Sequence, residues 1–173
     1  MKIRRPTIDE ILREFFSARL TGKVGLTRRR IEAVEARLRV CIESEAERIL
    51  VDHDLLLLAA EREFDPVNPV ARVMHADDLL FILSIFVTKP WLPDDSVQCL
   101  RQLQLTDALT GHLLARRLVD REGLICPLLE IRGGIYRGKR ELRIARLART
   151  SAAVPAAGAP GELPTAFGDG ITL

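Results

Sequence analysis

Asp77-Asp78-Leu79-Leu80-Phe81-Ile82-Leu83-Ser84-Ile85-Phe86-Val87 is the stretch on which the fold turns. From Leu79 onward the run is apolar on nearly every side. Two acidic residues at its start suit the positive end of a helix dipole. A helix without a polar face belongs at the centre of a bundle, covered by others. The β-branched part leaves a buried strand as the competing assignment. The spacing predicts a helix over about 78–88.

Both flanks are helical in pattern. Downstream, Lys89-Pro90-Trp91-Leu92-Pro93 breaks the chain, and Asp94 and Asp95 then cap a long helix. Its apolar positions are Val97, Leu100, Leu103, Ala108, Leu109, Leu113, Leu114 and Leu118, which carries it to about Arg121, with Gly123 as its stop. Upstream, Asp65-Pro66-Val67-Asn68-Pro69 reads as a loop because proline cannot continue a helix and restricts its predecessor. Before it, Asp54 opens a shorter helix ending near Glu63. At the start of the chain Thr7-Ile8-Asp9-Glu10 is a capping box. Ile8, Ile11, Leu12, Phe15, Phe16 and Leu20 follow at a period near 3.6, and Gly22 ends that helix in the position of a left-handed cap. A second helix with Thr27 as N-cap runs to Leu50, with the stripe Ile31, Val34, Leu38, Cys41, Ile42, Ile49 and Leu50.

Residues 124–149 admit two assignments. Leu128 to Arg132 and Ile135 to Arg137 form two strands around Gly133-Gly134; alternatively Pro127 starts a short helix that ends at the glycines, and Lys139 to Arg149 is a separate basic helix. Helix is favoured, given the rest of the chain. From Ser151 the composition turns to Ala, Pro, Gly and Thr with no apolar period. The expectation is an all-α single bundle of five or six helices over 6–149, with 131–149 as a basic extension (helix or hairpin) and 150–173 as a flexible tail.

Composition excludes several classes of protein. At 173 residues, 47% hydrophobic and 29% charged, the chain suits one domain and is too apolar for wholesale disorder. It contains no 18-residue apolar run of the kind that spans a membrane, and its basic start is not followed by a secretory apolar core. Three cysteines, Cys41, Cys99 and Cys126, include no C-x-x-C pair, which speaks against a disulfide framework or zinc ribbon and fits a reducing cytoplasm. His53, His75 and His112 are scattered, so no metal is expected. Adjacent helical residues point about 100° apart, so Asp77-Asp78 and Asp94-Asp95 read as caps rather than catalytic dyads. Arg132-Gly133-Gly134 with Arg137-Gly138-Lys139 lacks the phosphate-loop pattern G-x-x-x-x-G-K-[ST], and no G-x-S-x-G is present. Neither enzymatic activity nor a cofactor is expected.

What stands out is the placement of charge. Residues 1–30 carry nine basic and three acidic side chains, residues 31–130 ten and eighteen, and residues 131–149 seven and one, within a net charge of +2. Basic clusters of this kind are the footprint of a polyanion-binding face, against the alternative that the two signs cancel in the fold. Arg28, Arg29 and Arg30 fall in the first turn of the second helix, where cations disfavour the helix unless something compensates. A phosphate would do so, and so would Glu32 or Glu35. At the other end, Arg132, Arg137, Lys139, Arg140, Arg143, Arg146 and Arg149 accompany Tyr136, which is available to stack on a base. If 139–149 is helical, the three-residue step from Arg140 to Arg149 keeps four cations along one slowly drifting stripe. The alternative is a solvated outer face.

Thr7-Ile8-Asp9-Glu10-Ile11-Leu12-Arg13-Glu14-Phe15-Phe16, a short loop, then Leu26-Thr27-Arg28-Arg29-Arg30-Ile31 and Leu38 resembles the N-terminal core-binding domain of tyrosine recombinases and phage integrases. The resemblance covers about residues 6–50. It implies a small helical bundle that clamps DNA from one side through the backbone, with Arg28, Arg29 and Arg30 near the phosphates. Ile31 replaces the expected aromatic, there is no H-x-x-R, and Tyr136 has no constellation to make it a nucleophile. The expected function is non-catalytic DNA binding, accessory or regulatory, in the cytoplasm. The alternative is a protein–protein adaptor using the acidic middle and the Trp91 loop.

Overall fold

The structure is a computed structural model and describes residues 5–152. Its order is α1 (Ile8–Leu20), α2 (Gly25–Glu45), a 3-10 turn (Ala46–Arg48), α3 (Asp52–Phe64), α4 (Pro69–Val73), α5 (Ala76–Phe86), α6 (Ser96–Ala115) and α7 (Ile125–Ala152). The described residues form an all-α bundle, and α5 lies in its core: Leu79, Leu80, Ile82, Leu83 and Phe86 are fully buried. Each such side chain contributes about 1.5–3 kcal/mol through the water it leaves. The buried-strand assignment is therefore overturned. The α1 stripe from Ile8 to Phe16 meets this core, and its capping box forms as the sequence predicts, with the Glu10 amide donating to Thr7 Oγ1 (3.3 Å) and the Thr7 amide to Glu10 Oε2 (2.9 Å). Arg39 ties α2 to α1, donating to Asp9 Oδ1 at 2.9 Å and to Glu35 Oε1 at 2.9 and 3.1 Å.

Several boundaries differ from expectation, each for a local reason. Thr27 is not the N-cap of α2; the helix starts at Gly25, whose φ of +56° only glycine adopts freely. Pro69, the last residue of the expected loop, is instead the first of a five-residue helix. α5 is capped by His75 with Asp78, not by an aspartate pair: Asp78 Oδ2 accepts from the His75 amide at 3.0 Å. Asp95 alone caps α6, accepting from the Gln98 amide at 2.7 Å, while Asp94 pairs with Lys89. α6 stops at Ala115 rather than near Arg121, because Arg117 enters the left-handed region (φ +53°) and the Leu118 amide closes back on the Leu113 carbonyl (3.0 Å). A left-handed arginine carries no glycine-like signal in sequence. The tail expected over 150–173 begins inside α7, which runs to Ala152, and otherwise lies outside the described residues.

The largest correction concerns 124–149. There is neither a hairpin nor a pair of helices; α7 is one 28-residue helix that passes straight through Gly133 and Gly134. Pro127 is tolerated because it sits in the first turn, where amides have no helical partner. The glycines serve packing. A Cβ on Gly134 would overlap Val87 at the end of α5, and one on Gly138 would stand 2.8 Å from Leu103 Cδ1 of α6. Two missing methyls thus let the backbone of α7 lie against both neighbours. Beside this contact Gln102, fully buried, donates from Nε2 to the Phe86 carbonyl (2.9 Å) and the Trp91 carbonyl (3.1 Å) and accepts from Arg37 Nη1 (3.1 Å).

These contacts separate the glycines by experiment. Gly111→Ala meets nothing, and Gly133→Ala meets only the mobile end of Arg137, so each should gain about 0.5–1 kcal/mol of helix propensity in urea melts. Gly134→Ala and Gly138→Ala should instead lose about 1–3 kcal/mol through overpacking.

Candidate nucleic-acid interface

α5, α6 and α7 alternate in direction. The start of α5 lies beside the end of α6, where Asp77 and Arg117–Asp120 line one cleft, and its last turn is reached by Gln102, near the start of α6. α7 runs antiparallel to α6, since Leu114 faces Leu128 and Leu103 faces Gly138. The end of α7 therefore leaves the bundle on the side of the α6 N-terminus. Its buried stripe is Leu128, Ile131, Gly134, Ile135 and Gly138, followed by the half-buried Leu142. From Arg143 to Ser151 every residue is exposed, so this part is a solvent-surrounded arm. At 1.5 Å per residue it spans about 14 Å.

Among the described residues, Arg132, Arg137, Arg140, Arg143, Arg146 and Arg149 are exposed and make no ion pair within 4 Å, and Tyr136 is exposed beside them. Lys139 differs, standing 3.7 Å from Asp107. The Arg28 cluster lies at the same end of the bundle: the Arg30 carbonyl accepts from Gln98 Nε2 at 3.1 Å, and the next residue of α6, Cys99, is near enough to Glu141 of α7 to feel its charge. The three arginines are not equivalent. Arg28 pairs with Glu32 at 2.8 Å, Arg29 is exposed and Arg30 is half-buried. They also sit deeper in α2 than the first turn, because Gly25 starts the helix early; the Arg28 amide already bonds the Val24 carbonyl. Only their guanidinium groups, not free amides, are left for an anion.

At the opposite end carboxylates and arginines are mixed: Asp77 pairs with Arg5 at 3.4 Å and lines a cleft with Arg117. Asp54 of α3 and Asp77 of α5 crowd Asp78, whose carboxyl is raised above its ordinary value chiefly by burial and then by these two like charges. Burial likewise raises Glu43, against the Val70 and Ala71 amides and Arg62 and Arg72. Cys41 is pushed up to about 12 by burial and by Glu45, which leaves it an unreactive thiol. The histidines are dispersed: His75 Nδ1 lies 3.1 Å from the Pro6 carbonyl, His112 packs on Phe15, and His53 is exposed on α3. The Trp91 loop lines an open groove with Ala33, Ala36, Arg37 and Val40 of α2. Leu92 is buried, and the half-buried Trp91 donates to Glu45 Oε1 at 3.0 Å. Larger uncovered apolar side chains lie on α3, which sequence reading did not single out; the signal available was four consecutive leucines, Leu55 to Leu58, more than one buried stripe can hold.

A chain ended at Arg143 should melt within about 2 °C of the full chain by circular dichroism, since every described side chain from 144 to 151 is exposed. A carboxyl with a raised folded-state pKa binds its proton more tightly in the folded state, so its contribution is present at low pH and lost as pH rises through that folded value. Asp78→Asn, which keeps an acceptor for the His75 amide, should therefore raise the melting temperature at pH 7 and flatten its fall above the ordinary carboxylate value of 3.8.

No helix among the described residues is long and apolar enough to cross a membrane. No protein-family model, curated protein or solved structure matches this chain.

Proposed function

We propose that this chain is a non-catalytic DNA-binding protein that holds the phosphate backbone with the α7 arm and uses Arg28–Arg30 as a second contact at the same end of the bundle. One observation carries the proposal. The arm is a helix exposed on all sides whose arginines, Arg143, Arg146 and Arg149, continue from Arg140 without an acidic partner among the described residues. Guanidinium forks match phosphate oxygens, and a bare helix enters a groove without moving the core. The resemblance of residues 6–50 to a recombinase core-binding domain points to the same ligand class through Arg28, Arg29 and Arg30. Tyr136, exposed on the same helix, would stack rather than react.

Fluorescence anisotropy of a labelled random duplex, titrated at several salt concentrations, tests this. Each neutralised phosphate adds about 0.9 to the slope of log affinity against log salt. Replacing Arg143, Arg146 and Arg149 by Ala should lower that slope by about 2–3 and leave the fold intact, while the Arg28/Arg29/Arg30→Ala variant should lower it less, because Arg28 already pairs with Glu32. Absence of binding at low salt overturns the proposal.

A further inference from the structure

α3 is the least covered helix of the bundle. Of its apolar side chains only Leu58 is buried, whereas Leu56 is 73% exposed, Leu57 48% and Phe64 87%. Leu56, Ala60 and Phe64 follow at i, i+4 and i+8 with Leu57 beside them, so they form one stripe. Glu63 borders it on one side, and Glu61, already paired with Arg72 at 2.8 Å, on the other. Asp54 and Glu63 make no ion pair among the described residues. The α7 arm has the complementary make-up. Ile144 is 54% and Leu147 60% exposed, and on a helix they share a face with Arg140 and Arg143.

We infer that the apolar, acidic face of α3 is the docking site for the α7 arm of a second copy of this chain. Charge complementarity selects this occupant: a second α3 would bring acid against acid, and paired arms would bring arginine against arginine. The arm of the same chain cannot serve. α3 packs at the start of α5, lining a small cavity with Met74, His75 and Asp78, while α7 crosses Val87 beyond the last turn of α5 and runs onward from there. The contact is therefore heterologous, joining opposite ends of two molecules, and propagates as chains or rings. Because Arg140 and Arg143 enter it, DNA and self-association compete for the arm.

Sedimentation velocity over a concentration series tests the inference with the full chain. The wild type should form species that grow with concentration and shrink with added salt. Leu56→Glu/Phe64→Glu removes the acceptor face, and Ile144→Ser/Leu147→Ser removes the apolar side of the arm while keeping every arginine, so DNA binding survives in the latter. All four positions are exposed, and circular dichroism checks the fold. Each variant alone should associate at least about tenfold more weakly. Mixed, the two variants restore one intact interface and should stop at a mass of two chains, because neither end can extend. A monomeric wild type throughout overturns the inference. So does a mixture that stays monomeric, or a symmetric dimer abolished by only one of the two variants. Loss of self-association with DNA binding retained separates this failure from failure of the proposed function.

Discussion

The contact of α7 with α5 and α6 at Gly134 and Gly138 is the constraint on which the rest of the molecule depends. With no side chain at either position, the α7 backbone lies against Val87 and Leu103, and the buried amide of Gln102 secures the adjoining ends of α5, α6 and the Trp91 loop. A helix that sat one methyl further out would lose dispersion contacts along its whole buried stripe. This close seat also sets the direction in which the last turns of α7 leave the bundle. The arginines of the arm owe their exposure to packing two and three turns earlier.

The grouping of the charged segments follows from the same arrangement. Three alternating helices gather their ends into two poles, so segments distant in sequence meet. Arg28–Arg30 and the arm share the pole at the start of α6, and α3 with the start of α5 makes the other. At this second pole Asp54 and Asp77 each repel the partly buried Asp78, while Arg5 pairs with Asp77. The proposed DNA contact uses one pole, and the proposed contact between copies joins the two. Neither needs a preformed cavity; both need surface that the core leaves uncovered.

The helical character of this chain was determined by the sequence alone, because the apolar period, the capping box at Thr7–Glu10 and the prolines at 66, 69, 90 and 93 act within a few residues of one another. The candidate arginines of the arm were legible for the same reason, as a three-residue step that needs only a helix to become a stripe. What tertiary structure decided are the features whose cause lies elsewhere in the chain. Gly133-Gly134 is a turn by local preference yet lies inside a helix, where the bare Gly134 lets the backbone approach Val87. Asp94 and Asp95 look alike in sequence, and only Lys89 separates their roles. α6 ends at a left-handed arginine, and Pro69 begins a helix that Glu43 of α2 supports by accepting from the Val70 amide at 3.4 Å. Which leucines of α3 would be buried was equally undecided, because exposure is set by what neighbouring helices cover, and α3 has too few neighbours to cover them.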